Sequence, residues 1–192
     1  MAQARKTRLE RTRDRRPDCV FCRIVAGEAP DSQVFEDART LAFMDVNPVR
    51  RGHVLVIPKA HKAQVWDMRD AEFAAVYRRL PSLVSALAQA MKADAVDVLN
   101  LNGAAGGQTV YHVHFHLIPI HRDRSPLRRN GRRVAFEFTQ EAATRAQLDR
   151  IARRIREDVA ASSPRPAKRR RALGPRRGAG EAPSDLSQTG LV

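Results

Sequence analysis

The stretch Tyr111-His112-Val113-His114-Phe115-His116-Leu117-Ile118 decides how this chain is read. Side chains alternate across a strand, so His112, His114 and His116 share one face, successive ones roughly 6–7 Å apart. Val113, Phe115 and Leu117 take the other face and belong to a core. Four of the six histidines lie within residues 112–121, a density that a solvated strand with incidental histidines does not explain. Imidazole is a nucleophile, a general acid/base near neutral pH and a metal ligand. The face is therefore expected to carry chemistry.

Upstream lies Gly103-Ala-Ala-Gly-Gly107, followed by Gln108-Thr109. A glycine-rich loop can turn several backbone N–H groups towards one point, a concavity suited to phosphate oxygens. Such loops are common, and only the nearby histidines give this one weight. Near the other end, Cys19-Val-Phe-Cys22 places two thiols at C-x-x-C spacing. Three readings are open: a redox dithiol, two unligated core cysteines, or half of a Cys₂His₂ zinc site. No βαβ pattern of the thioredoxin type follows, which counts against the first. Spacing alone does not choose the histidine ligands among His53, His61, His112, His114, His116 and His121.

Working outward, residues 33–37, 40–45, 53–57, 96–102, 110–120 and 134–138 read as strands. Residues 70–91 read as one helix, N-capped by Asp70 and kinked at Pro81. Residues 140–160 form a charged amphipathic helix with Leu148, Ile151, Ile155 and Val159 on one stripe. The order predicts an α+β domain with a mainly antiparallel sheet. The expected organisation is a basic disordered arm over 1–16, a domain over 17–139, the helix over 140–160 and a disordered tail over 161–192.

The chain has 192 residues and a net charge of +14 with histidine neutral. Residues 1–16 and 161–192 each hold seven basic and two acidic residues, leaving 21 basic and 17 acidic for the rest. The excess is thus in the two arms, and the domain is nearly balanced. No apolar stretch approaches the roughly 18–20 residues of a membrane helix. The N-terminus has no apolar segment of the kind a secretory signal needs. The chain is accordingly expected in the cytoplasm, without membrane attachment. Nucleic acid is a conceivable partner for the basic arms, but a merely solubilising role is favoured.

His112-Val-His114-Phe-His116-Leu-Ile118 resembles the H-φ-H-φ-H-φ-φ signature of the histidine triad (HIT) superfamily. Residues 19–28, Leu41-Ala-Phe-Met-Asp45 with Asn47-Pro48, Gly52-His53-Val-Leu-Val-Ile-Pro58-Lys59-Ala-His61 and Gly106-Gly-Gln108-Thr109 resemble further segments of its Hint-like, zinc-bearing bacterial branch. The likeness spans residues 18–121. It implies a HIT-like fold with a mainly antiparallel five-stranded sheet and a long helix, a homodimer, and hydrolysis or transfer at the α-phosphate of a purine nucleotide. His114 would form a nucleotidyl-histidine intermediate. His116 and His53 would contact the phosphate, giving the site a mildly positive character, and Thr109 would stand beside the leaving group. Gly107, Gln108 and Asn102 would help hold the phosphate, Asp45 the ribose, and Val20, Ile24, Phe43, Val46 and Leu55 the base. Zinc-bearing relatives such as galactose-1-phosphate uridylyltransferase imply a structural Zn²⁺ on Cys19, Cys22, His61 and His112. Leu101 departs from the Asn or Gln common at its position.

The expected substrates are a nucleoside phosphoramidate, an acyl-nucleotide or a dinucleoside polyphosphate. The alternatives are an enzyme that, like aprataxin, removes adenylate from nucleic-acid ends, and a non-catalytic nucleotide-binding protein. Trp66, Tyr77 and Met91 are read as core or dimer-interface residues, and His121 as a solvated loop residue.

Overall fold

The computed structural model describes residues 15–122 and 140–162. The expected strand over 134–138 and almost all of both expected disordered arms lie outside them. The elements are α1 (Val20–Val25), β1 (Gln33–Glu36), β2 (Thr40–Met44), β3 (Val54–Pro58), α2 (Asp70–Tyr77), α3 (Leu80–Met91), β4 (Ala95–Asn100), β5 (Phe115–Ile120) and α4 (Arg145–Ser162). The strands form one sheet in the order β1-β2-β3-β5-β4, with every neighbouring pair antiparallel.

Both faces of β2 and β3 are buried, and apart from Thr40 these strands are apolar. Ala42, Met44, Val54 and Val56 point to one face, where Val113, Phe115 and Leu117 join them. Against that face pack Val76, Leu83 and Leu87 of α2 and α3, and Leu148, Ile151, Ile155 and Val159 of α4. Leu41, Phe43, Leu55 and Ile57 point the other way, into a second core closed by Phe21 and Val25 of α1. The sheet thus separates a helix-covered face from a face reserved for α1 and the histidines.

Three expectations change. The long helix is not kinked but divided: α2 ends at Tyr77 and α3 begins at Leu80, with Pro81 in its first turn. Proline has no N–H to donate and its ring crowds the carbonyl four residues back, so a fresh start is less costly than a bend. The last helix begins at Arg145 rather than at 140. There Thr144 Oγ1 accepts the Gln147 amide at 3.3 Å and the Gln147 side chain accepts the Thr144 amide at 2.8 Å, a capping box. Finally, the histidine strand joins the ladder only at Phe115. Upstream of it the Val113 amide donates to the Lys62 carbonyl at 2.7 Å, holding the approach to the strand.

Candidate active site and metal centre

Helix α1 carries Cys22 into the space below β3. Cys22 Sγ lies 3.3 Å from His61 Nδ1 and 3.7 Å from His112 Nδ1, while Cys19 Sγ lies 3.6 Å from His112 Nδ1. The four ligand atoms all fall within 4.8 Å of one another. A tetrahedral zinc, with Zn–S about 2.3 Å and Zn–N about 2.0–2.1 Å, sets its ligand atoms roughly 3.3–3.8 Å apart. The donor set and its spacing therefore fit such an ion. His112 Nε2 donates to the Pro58 carbonyl at 2.9 Å, which leaves Nδ1 unprotonated and facing the sulfurs. Burial pushes the Cys22 thiol up to about 11 and the His112 imidazole down to about 4. A bound cation would favour the thiolate and offset that burial cost.

His114, buried two residues further on and just ahead of β5, donates from Nδ1 to the carbonyl of His112 at 2.7 Å. The other nitrogen, Nε2, is then the lone-pair nitrogen. Burial lowers the His114 pKa, against the opposing effects of that hydrogen bond and of Asp45, so the ring is neutral at neutral pH. The Asn100 side chain donates to the His114 carbonyl at 2.8 Å, fixing the backbone on which the ring stands.

Asp45, His53 and His116 form a chain beside it. Asp45 Oδ2 is 3.2 Å from His53 Nδ1, and His53 Nε2 is 2.9 Å from His116 Nδ1. The second link has room for one proton, and the Val49 amide also reaches His53 Nδ1 at 3.4 Å, so the three groups form one contiguous polar chain. It ends at His116 Nε2, which is buried and has no hydrogen-bond partner among the described residues. The His114 and His116 rings are 4.8 Å apart. Burial, reinforced by the neighbouring imidazoles, drives both His53 and His116 down to about 3. This corrects the expectation of a positive site: the imidazoles are neutral near pH 7, because three rings packed together in a dry space cannot share added charge.

The glycine-rich loop is a 3₁₀ turn, Ala104–Gly106, between Gly103 and Gly107, both at positive φ (75° and 87°). Gln108 is buried and wholly engaged in closing this loop. Its side-chain amide donates to the carbonyls of Ala63 (2.7 Å) and Val110 (3.0 Å), and its oxygen accepts the Gly103 amide (2.8 Å). The Gln108 side chain thus braces the loop. Asn102 is similar: its oxygen accepts the Val65 amide at 2.8 Å and its nitrogen donates to Asn100 at 2.6 Å. Leu101 packs close to Gly107. Thr109 and Gly107 stay exposed at the loop rim.

Phe43 and Leu55 form the buried floor beside α1, and Ile24 packs on its edge. Val20 and Val46 stand 42% and 52% exposed as an apolar rim. Sequence reasoning missed Phe21. Its ring meets Phe43 and His114 edge-on at 5.4 Å, and His112 at 5.9 Å, so it joins the metal cluster to the triad. Its place inside the C-x-x-C helix was the available signal. Pro58 was missed too, because it acts through its backbone carbonyl.

A sequence profile of the HIT domain matches residues 26–123. The chain is 36% identical over 127 residues to an adenylylsulfatase of Arabidopsis thaliana, spanning 66% of this chain and 64% of that relative. It is 42% identical over 109 residues to an adenosine 5′-monophosphoramidase of Saccharomyces cerevisiae, covering 57% and 66% of the two chains. Among solved structures, a zinc-bound histidine triad family protein from Mycobacterium smegmatis matches with a TM-score of 0.61 and 29% identity, over 75% of this chain and 94% of that one. The triad, the sheet that carries it and these likenesses lead to one conclusion: the chain belongs to the HIT, or histidine triad, family and has its fold.

Proposed function

We propose that this chain is a nucleotide hydrolase or nucleotidyl transferase that cleaves at the α-phosphate through a covalent adduct on His114. The observation that carries the reading is the Nδ1 bond of His114 to the His112 carbonyl at 2.7 Å. It leaves a neutral, oriented Nε2 in a buried site, as a nucleophile requires. Nε2 attacks phosphorus, the bond from phosphorus to the leaving group breaks, and Thr109 at the loop rim serves the departing group. Water then attacks the adduct, the P–N bond breaks and the nucleoside monophosphate leaves. His116, with its unpartnered Nε2, and His53 behind it meet the phosphate. The Gly107 amide adds a donor that needs no rearrangement.

Asp45 spends one oxygen on the Asn47 amide and the other on His53. Carboxylate oxygens have further lone pairs, which accept from the ribose hydroxyls. The base lies on Phe43 and Leu55, between Val20, Ile24 and Val46. Relatives named for adenylylsulfate and adenosine phosphoramidate support an adenylate with a small leaving group as substrate. Zn²⁺ on Cys19, Cys22, His61 and His112 would be structural, since four protein ligands leave no open position. We also read the chain as a cytoplasmic homodimer. Among the described residues strand β4 is an open edge with Val98 43% exposed, and Trp66, next to the Val65 amide that donates to Asn102, is 66% exposed. No helix among the described residues is long and apolar enough to cross a membrane.

The test is turnover of adenosine 5′-phosphoramidate and a diadenosine polyphosphate by the wild type and by His114→Ala. Wild-type turnover, lost in the variant, is expected. No turnover of any of these substrates, or equal turnover by both proteins, overturns the reading.

A further inference from the structure

On the edge of the molecule, away from the α1 face, an open cleft of about 450 Å³ lies between α4, the end of α3 and the loop joining β2 to β3. Its volume is that of a small-ligand site. The walls are cationic. Arg50 and Arg51 come from the loop, Lys92 from the end of α3, and Arg150 and Arg154 from α4.

Glu141 is the sole carboxylate in this lining, and it is already engaged: it accepts the Arg51 amide at 3.0 Å and pairs with Arg50 at 3.9 Å. Among the described residues, the side chains of Arg51, Lys92, Arg150 and Arg154 have no carboxylate partner. Arg150 and Arg154 stand one turn apart, so their like charges face the same way and repel. Lys92 is held at the rim by a left-handed conformation (φ 52°) that ends α3. Met91 and Ile151 line the same cleft and lower its dielectric, which concentrates the field. His121, expected as a solvated loop residue, is a wall of this cleft and donates from Nε2 to the Met91 carbonyl at 3.1 Å.

We propose that this cleft binds an oligophosphate anion, at a site separate from the triad. Four unpaired cations on three different elements call for a compact ligand with anionic oxygens on several sides. Guanidinium groups match phosphate oxygens in paired hydrogen bonds. The anion removes the repulsion between Arg150 and Arg154 and neutralises a net +4 lining. Two sources share this chemistry: a free oligophosphate and the phosphorylated end of a nucleic-acid strand.

The test is calorimetric titration of the full-length protein with inorganic tripolyphosphate. Wild type is expected to bind, and Arg150→Gln/Arg154→Gln to lose affinity by at least about tenfold, with weaker binding at higher salt. Arg51→Gln, from the opposite wall, is expected to lose affinity as well. Melting temperature and turnover should stay at wild-type values in both variants. A short oligonucleotide bearing a 5′-phosphate is compared with its hydroxyl-ended counterpart. Preference for the phosphorylated end, competed by tripolyphosphate, supports the proposal and assigns the strand-end source. Binding of tripolyphosphate without either oligonucleotide supports it and assigns the free source. Equal binding of tripolyphosphate by wild type and both variants, or none by wild type, overturns it.

Discussion

His112 serves two centres at once: its ring faces Cys19 and Cys22, while its carbonyl accepts the Nδ1–H of His114 at 2.7 Å. The metal-ligating cluster and the nucleophile therefore hang on one residue, and Phe21 fills the space between their rings. Whatever holds His112 also sets the tautomer and direction of His114.

Metal removal follows from this link. Purified protein is expected to carry one zinc per chain, and chelation to lower both its melting temperature and its turnover. Metal analysis with thermal denaturation and an activity assay before and after chelation checks it. Cys22→Ser should reproduce the chelated state. Natively folded protein with well under one zinc per chain would refute this.

Acid stability should report the neutral imidazoles of His53 and His116. His53 and His116 sit near 3 when folded against 6.5 as the ordinary value, so the unfolded chain takes up protons that the folded one refuses. Above pH 6.5 neither state is protonated at these positions and no penalty arises. As pH falls from 6.5 towards 3, stability is lost, by up to about 2 kcal/mol per histidine between pH 7 and pH 5. Urea midpoints at those two pH values, in wild type and in His53→Gln, measure it. The variant should show a shallower loss.

Gln108 and Thr109 are adjacent and should behave differently. Gln108→Ala strips the Ala63 carbonyl and the Gly103 amide of their side-chain partner and leaves the Val110 carbonyl with the His112 amide alone, costing about 2–4 kcal/mol. Thr109→Ala, at an exposed position, should stay within about 0.5 kcal/mol of wild type. Activity measured on folded protein should fall in both, through a displaced loop in the first and a lost leaving-group contact in the second. A stability loss for Thr109→Ala as large as that for Gln108→Ala would contradict the division.

Gly52 tests how firmly the loop is docked. Its φ is +98°, and an added Cβ would sit 2.9 Å from Met91 Cγ. Gly27 has φ +75° with nothing within 4 Å. Gly27→Ala should cost only the backbone strain, about 1–2 kcal/mol. Gly52→Ala should cost a further ~1 kcal/mol or more from the overpacked contact. Chemical denaturation of the two variants compares them directly. Equal losses would mean that Met91 simply moves aside.

Much of the site is written in local spacing. Three histidines at alternate positions must share a face of an extended segment, and two cysteines three apart on a helical turn must lie close together. The continuous apolar runs 41–44 and 54–57 likewise read as strands. Pro81 was legible as an interruption, but whether a helix bends or restarts depends on what packs on either side of it.

Other features had no local signature. Nothing in the neighbourhood of Gln108 says whether its amide faces a ligand or three backbone groups 2, 5 and 45 residues away. The charge of the site was also out of reach, because a histidine's protonation depends on burial and on neighbours brought from β2, β3 and β5. The residues of the basic cleft lie on segments far apart in sequence and read singly as solvated surface. By itself, the sequence determined the strand pattern and the identity of the reactive groups, since both follow from side-chain type and backbone periodicity. Only the tertiary structure decided which nitrogen is free, which imidazoles are neutral and where the unpaired cations gather, because those depend on distances between elements that periodicity does not contain.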